Sequence, residues 1–328
     1  MKKSASRIFK TYILNIVIIA VVFIALQLMI TQGVFNSYTS GLVIQIFINM
    51  ILTLSLNVAT GILGELCLGH AGFMAIGAYT TALLTINSGL PVVIMFPLGL
   101  IAGMIVSGVI GFLVGVPALR LKGDYLAIIT LAFGEMISIL LRTFKFTGGA
   151  LGLNGIPRVT TFSYSYWCFV ISLVLIITFM FSRHGRAILS IREDEIASEA
   201  TGVNTFKYKM IAFVMSAMFA GLAGGLFAHF QGNLAPEKFN YNYSIDIMVM
   251  VVFGGMGSVS GSIVSAIILT LLPELLRGFS EYRMLVYAIM LIVLMIFRPE
   301  GMFGRKEVTY KVLGRFMKKG KRKNLVSE

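Results

Sequence analysis

Long apolar stretches, separated by short polar segments, follow one another along almost the whole chain. A bilayer core is about 30 Å thick and takes about 20 helical residues to cross. We identify such stretches at 13–30, 41–59, 66–85, 91–116, 125–141, 164–181, 210–230, 244–257, 261–276 and 283–297. The pattern therefore predicts an all-α fold, a polytopic membrane helix bundle of about ten transmembrane helices.

Two of these stretches leave the number of spans open between about eight and ten. The stretches 125–141 and 244–257 are short, so either could enter and leave the membrane on the same side. The first stretch follows a basic N-terminal segment and runs to Ile30 without a small-x-small cleavage site. We therefore predict that it is an uncleaved span and not a signal peptide.

The composition excludes an ordinary soluble protein. Hydrophobic residues make up 57% of the chain and charged residues 12%, whereas soluble domains have about 25% charged residues. The formal net charge of +13 would suggest nucleic-acid binding in a soluble protein. Here the positions that could form such a face are apolar, so we predict a lipid environment and no nucleic-acid partner.

The basic residues are distributed unevenly between the two sides of the predicted bundle. With ten spans and a cytoplasmic N-terminus, the loops 117–124 and 182–209 and the tail from Arg298 also lie in the cytoplasm. Together with the N-terminal segment they hold 21 of the 27 Lys and Arg. Because positive charge favours the cytoplasmic side, we predict that both termini are cytoplasmic. The chain then divides into a membrane domain at 1–297, with its long loop at 182–209, and a basic tail at 298–328.

Small residues recur every four positions in two spans. They predict flat helix faces on which other helices can pack closely. The two rows are Gly99, Gly103, Ser107, Gly111 and Gly115 in the fourth span and Ala217, Gly221 and Gly225 in the seventh. We interpret both as packing surfaces of a dense bundle.

Two other glycine clusters, at 61–72 and 254–261, interrupt helices instead of lining them. Transporters unwind helices at such places, so that free backbone groups can bind a polar solute within the membrane. The second cluster could equally be a tight cytoplasmic turn. It does not form a dinucleotide fingerprint, and the sequence contains no P-loop for ATP.

Few ionisable groups fall inside the spans, so each is a candidate for function. Glu135 in the fifth span could line a pathway or make a hydrogen bond between helices. His70 could bind a ligand or serve only in packing, which is the commoner role of a lone histidine. No spacing of His, Cys or carboxylates predicts a metal site, and no nucleophile with a neighbouring base indicates an enzyme.

The loop 182–209 carries an acidic helix on the side of the membrane that is otherwise basic. Ser190 and Glu193 have the spacing of a capping box, and Gly202 is placed to end the helix. Arg192 could pair with Glu195 or Glu199. A helix that rests on anionic lipid would instead carry lysines. We therefore predict that this helix docks on a cytoplasmic protein, the alternative being a solvated helix without a partner.

Several motifs together resemble those of a known transporter family. They are GDYLAIITLAFGE at 123–135, TGG at 147–149, GLNGI at 152–156, GRA at 185–187, IREDEIA at 191–197, ATG at 200–202, AGLAGGL at 220–226 and FGGMGS at 253–258. Between about Asn57 and Arg298 the chain resembles the LivM-type permease subunits of branched-chain amino acid ABC importers.

The resemblance implies an ATP-driven importer in the inner membrane of a prokaryote. The permease would pair with a homologous sister permease, two cytoplasmic ATP-binding subunits and an extracytoplasmic solute-binding protein. ATP and magnesium would be bound by the ATPase subunits, with no cofactor in this chain. The acidic helix would be the coupling helix that seats in an ATPase subunit, through Arg192, Glu193, Asp194, Glu195, Ile196, Glu199, Ala200 and Gly202.

The translocation path predicted from the glycine clusters and buried polar groups comprises Gly69, His70, Gly72, Thr130, Glu135, Gly254, Gly255 and Gly257. Free backbone at 69–72, with Thr130 and Glu135, would contact a zwitterionic solute as the bundle alternates between its two open states. Other substrates stay open, namely urea, short amides, sugars or nucleosides. A stand-alone secondary transporter would need more intramembrane ion ligands than the sequence offers.

Overall fold

The computed structural model describes residues 19–33, 35–121 and 123–276, together with residues 288, 289, 292, 296, 301, 302 and 304. The regular secondary structure of the described residues is helical, apart from one isolated bridge between Leu153 and Leu234. Its helices are α1 (Ile19–Thr31), α2 (Ser37–Asn57), α3 (His70–Asn87), α4 (Val92–Ala118), α5 (Asp124–Thr143), α6 (Phe162–Phe181), α7 (Arg183–Glu193), α8 (Glu195–Ala200), α9 (Thr205–Gln231), α10 (Tyr241–Gly254) and α11 (Val259–Leu275).

Nine of these helices coincide with the first nine predicted spans. Five are long and apolar enough to cross a membrane: α2 with its continuation to Leu63, α4, α5, α6 and α9. The span predicted as short at 125–141 is α5, which has 20 residues, whereas α10 has only 14. The tenth span, 283–297, and the basic tail, 298–328, fall almost wholly outside the described residues.

The small-residue rows pack α3, α4 and α9 against one another, as predicted. A β-carbon on Gly77 of α3 would overlap the backbone of Gly221 in α9. On α4, the Ser107 hydroxyl donates to the Phe73 carbonyl oxygen at 3.0 Å. Such close approach allows van der Waals contact and hydrogen bonds to hold helices together where lipid offers no hydrophobic contrast.

The opposite side of α4 is apolar and exposed, with Leu98, Ile101, Ile105, Val109 and Phe112 all at least half accessible. Residues three and four apart share one helix face, so this is a continuous apolar stripe. A stripe of this kind fits lipid or an apolar protein surface. Together with the long apolar helices it makes the chain a polytopic membrane bundle.

The second helix does not end in an ordinary way. After Asn57 it continues as a π-helix over Val58–Leu63 and stops at Gly64, whose φ of 88° is left-handed. Non-helical chain then runs to Gly69, and α3 begins at His70. The structure thus confirms that the first glycine cluster breaks a helix. π-helical turns are rare and are frequently found at functional sites.

Candidate functional site

The segment at 182–202 forms two short helices instead of the single helix predicted from Ser190. Ser182 caps α7, its hydroxyl accepting from the Gly185 amide at 3.2 Å. Asp194 interrupts the helix with extended backbone and caps α8, since its carboxylate accepts from the Ala197 amide at 2.9 Å. The predicted capping box is therefore wrong, because Ser190 lies in the last turn of α7 and donates to the Ala187 carbonyl oxygen.

The predicted end of this segment at Gly202 is confirmed. The Gly202 amide donates to the Glu199 carbonyl oxygen at 2.9 Å, and the Val203 amide to the Ser198 carbonyl oxygen at 3.2 Å. These two bonds form a Schellman motif, which requires left-handed backbone at the residue after the cap. Gly202 supplies it with a φ of 89°.

The two helices have a buried inner side and an exposed outer side. Ile188 and Ile191 of α7 are buried against the bundle, whereas Ile196 of α8 is 78% exposed. Glu199 and Ala200 are also exposed. The outer side of α8 thus presents the apolar Ile196 and the acidic Glu199.

Arg192 joins this segment to the broken end of α2. Its Nη1 donates to the Gly61 carbonyl oxygen at 2.7 Å, and its Nη2 pairs with Glu193 at 2.8 Å. The pairing differs from the predicted partners of Arg192, Glu195 and Glu199. The side chain also packs on Gly64, so it covers both the π-helical turn and its end.

Lys209 makes a second link between the same two elements. Its Nζ lies 2.7 Å from Glu65 Oε1 and 3.0 Å from Glu195 Oε1, and the residue is only 4% exposed. Glu65 follows the π-helix and Glu195 begins α8. Buried charges are stable only when paired in this way, so the ammonium fixes α8, the start of α9 and the broken α2 in one arrangement.

The second glycine cluster lies beside this junction. Gly255 and Gly257 have left-handed φ values of 107° and 89° and turn the chain from α10 into α11. Asn57 holds the turn, since its Oδ1 accepts from the Gly257 amide at 2.8 Å and its Nδ2 donates to the Ser258 carbonyl oxygen at 3.3 Å. A β-carbon on Gly254 would overlap the backbone of Gly261. Of the two interpretations left open for this cluster, the geometry is that of a tight turn.

The other predicted path residues gather where α3 meets α5. A β-carbon on Gly69 would overlap the Thr130 carbonyl oxygen, and one on Gly72 would lie 2.9 Å from the Gly134 Cα. The Leu68 amide donates to Thr130 Oγ1 at 3.1 Å, and the Ala71 amide to Ser244 Oγ at 3.0 Å. Within 69–72, the Ala71 amide and the Gly72 amide, which donates to the Gly69 carbonyl oxygen at 3.0 Å, thus have protein acceptors. A role of this segment in binding a solute stays a prediction.

His70 is fully buried, and its Nε2 lies 2.7 Å from the Ser55 hydroxyl of α2. Its Nδ1 lacks a well-aligned partner among the described residues. The ring therefore serves as a packing and hydrogen-bonding group between α2 and α3. Ser55 and Asn57 are two residues apart on α2 and so face nearly opposite sides of it. The eight predicted path residues thus form two clusters on either side of one helix.

Glu135 makes a hydrogen bond between helices, as one of its two interpretations predicts. Its Oε1 accepts from the Tyr241 amide, the first of α10, at 2.8 Å. A carboxylate at a helix N-terminus satisfies a free donor and opposes the helix dipole. The crevice around this contact, between α3, α5 and α10, does not admit a water molecule.

Sequence reasoning missed Asn57, Glu65 and Lys209 as members of the junction. Lys209 was counted only among the charges that orient the chain, and its acidic partners are 144 and 14 residues away. A signal for Asn57 does exist, since Gln45, Asn49, Thr53 and Asn57 recur every four residues on α2. That period places them on one helix face.

Comparison with known proteins agrees with this architecture. The profile described as "Branched-chain amino acid transport system / permease component" matches residues 38–295. The LivM permease protein of the high-affinity branched-chain amino acid transport system of Salmonella typhimurium is 38% identical, over 89% of this chain and 74% of its own. The Escherichia coli LivM permease protein is also 38% identical, over 88% of this chain and 74% of its own.

A second type of permease from the same kind of system is more distant. The LivH permease protein of Escherichia coli is 24% identical, over 84% of this chain and 96% of its own. No solved structure gives a significant match. The profile match and the LivM identities each cover most of the chain. The chain therefore belongs to the family of permease components of branched-chain amino acid transport systems and is a multi-pass membrane transport protein.

Proposed function

We propose that the chain is the permease subunit of an ATP-driven importer of branched-chain amino acids and is coupled to its ATPase subunits through α7 and α8. One observation carries the coupling. The two helices are tied by Arg192 and Lys209 to the broken end of α2, while Ile196 and Glu199 face outwards. The segment is fixed to the π-helical end of α2 on one side and is exposed on the other. It can therefore transmit movement from a docked partner to α2.

The π-helical turn at 58–63 is the element that responds. ATP binding would draw the two ATPase subunits together and shift α8. The shift would pass through Glu195, Lys209 and Glu65 to the end of α2. A π-turn can revert to α-helix by moving its hydrogen bonds by one residue, and this change would rotate the chain beyond Leu63. The bundle would thereby alternate between outward-open and inward-open states.

The remaining partners belong to the same proposal. A homologous sister permease completes the membrane unit, and the detectable similarity to LivH as well as LivM supports a pair of related subunits. Two cytoplasmic subunits bind ATP and magnesium, and an extracytoplasmic binding protein delivers the solute. The transporter lies in the inner membrane of a prokaryote with both permease termini in the cytoplasm, which the uneven distribution of Lys and Arg supports.

Coupling can be tested with substitutions that leave the inner contacts intact. Reversing Asp194 or Glu195 would also remove a helix cap or the Lys209 pair. The informative variant is Ile196→Asp with Glu199→Lys, both on the exposed side. In the reconstituted transporter it should abolish the ATPase activity that loaded binding protein stimulates.

The matched control for this variant is Glu237→Lys. Glu237 is exposed and follows α9, at the end of that helix far from α8. It should keep the stimulated activity. Full stimulation of the Ile196→Asp, Glu199→Lys variant would refute docking at α8.

The substrate can be tested separately by titrating the partner binding protein with leucine, valine, urea and ribose. Saturable binding of leucine and valine supports the proposal. Binding of urea or ribose in their place would assign the permease to a different solute.

A further inference from the structure

An open cavity of about 420 Å³ lies between α2, α9 and α10, at the end of the bundle far from α7 and α8. Its lining consists of Gln45, Phe227, Gln231, Lys238, Asn240, Asn242, Tyr243 and Asp246. Small-molecule sites occupy roughly 300–1,000 Å³. The cavity is therefore large enough for an amino acid.

The lining contains one acid and one base, and both charges are unpaired. Among the described residues, neither the Asp246 carboxylate nor the Lys238 ammonium has a hydrogen bond or an ion pair. Asp246 lies within α10, where an acid in an apolar membrane helix is costly unless it faces water or a partner. Both residues are exposed and line the cavity, so each charge is open to it. Two opposite charges around one cavity match a ligand that carries both.

The other lining groups suit the remainder of such a ligand. Phe227 is buried and gives the cavity an apolar wall. Tyr243 also lines the cavity, with its buried hydroxyl beside Gln45. Its ring therefore extends the apolar wall.

A row of polar side chains leads from this cavity into the bundle. Gln45 Nε2 donates to Asn49 Oδ1 at 3.2 Å, and Asn49 Nδ2 donates to Thr270 Oγ1 of α11 at 2.9 Å. Thr53 and Asn57 continue the row on the same face of α2. The cavity is thus the open end of a buried polar seam that reaches the turn beside Gly257.

We propose that this cavity is the outer binding site for an amino-acid zwitterion, with Asp246 receiving the ammonium group, Lys238 the carboxylate, and Phe227 and Tyr243 contacting an apolar side chain. The assignment rests on the proposed function. It differs from the path predicted from sequence, since none of those eight residues lines the cavity.

The test measures leucine uptake by the complete reconstituted transporter over a range of loaded binding protein. Asp246→Asn and Lys238→Gln should each lower the maximal rate about tenfold, because each removes one charged contact to the solute. The half-saturating concentration of binding protein should stay unchanged. Lys238→Arg keeps the charge and should keep the rate.

Glu237→Gln is the control, since it neutralises an exposed acid next to Lys238 that does not line the cavity. Thermal midpoints near that of the parent would show that the variants fold. Rates for Asp246→Asn and Lys238→Gln equal to that of the control would overturn the site. So would a raised half-saturating concentration at an unchanged maximal rate, which would make the cavity a docking surface for the binding protein. Absence of leucine uptake by the unsubstituted transporter would instead overturn the proposed function, and this assignment with it.

Discussion

Replacement of Lys209 by methionine should destabilise the protein more than any substitution of an exposed lysine. Methionine fills similar space without charge, so the change isolates the two ion pairs, at 2.7 Å to Glu65 and 3.0 Å to Glu195. Breaking a fully buried pair costs about 3–5 kcal/mol. The side chains of Glu65 and Glu195 are 16% and 29% exposed. Because they recover part of their hydration, we expect a loss of about 2–4 kcal/mol in the free energy of unfolding.

The loss can be measured as a thermal midpoint of the purified permease. For proteins of 150–250 residues, 1 kcal/mol corresponds to about 2–4 °C, so a loss of about 2–4 kcal/mol should lower the midpoint by about 4–16 °C. Lys207→Met is the matched control, since Lys207 is exposed on the same helix two residues earlier. It should shift the midpoint by about 2 °C or less.

A second substitution tests the physical reason for the effect. Most of the cost comes from leaving carboxylates buried without a partner, and not from losing the attraction itself. Glu65→Gln should therefore destabilise the parent protein but partly restore the midpoint of the Lys209→Met variant. A Lys209→Met midpoint equal to that of Lys207→Met, or a further fall on adding Glu65→Gln, would refute this account of the junction.

Three further substitutions test the packing of the bundle. Gly77→Ala should lower the thermal midpoint by several degrees, because its β-carbon meets the backbone of α9, whereas Gly41→Ala meets only a phenyl ring at 3.5 Å and should be neutral. Glu135→Gln keeps an acceptor for the first amide of α10 and should preserve transport. Loss of transport in this variant would instead indicate that the carboxylate lines a pathway. Asn57→Ala should speed hydrogen exchange in the turn between α10 and α11 by about tenfold or more, while Asn87→Ala, at an exposed helix end, should leave that exchange unchanged.

The bundle could be predicted from sequence because its determinants are local. Length and apolarity identify a span without knowledge of its neighbours, and the rows containing Gly103 and Gly221 disclose their packing faces. The break after Asn57 was also visible, since clustered glycines oppose a continuous helix. The length of α5 was underestimated because Asp124 and Arg142 at its ends lower the apparent apolar length, although both charges fall in terminal turns.

The site was harder to predict because its contacts join distant parts of the chain. A capping box at Ser190 and Glu193 agreed with local spacing, but Ser182 offered an earlier cap and Asp194 a later one. Nothing near Glu135 in sequence discloses that its partner is an amide 106 residues away. The polar row on α2 that begins at Gln45 could have been predicted from sequence, since a four-residue period is visible without knowledge of the tertiary structure.

The charges of this chain serve more than orientation. Arg192 and Lys209 count among the basic residues from which we predict that their loop is cytoplasmic, yet the structure buries most of both side chains in contacts with the end of α2. A charge needed only for orientation would remain hydrated, because burial without a partner is costly. Their burial therefore argues that the loop is fixed to α2 for a further reason. The polar row on α2 runs from that same end to the cavity that contains Asp246. Helix α2 thus connects the surface proposed to bind the ATPase with the site proposed to bind the solute. A rotation of α2 would therefore move residues at both places.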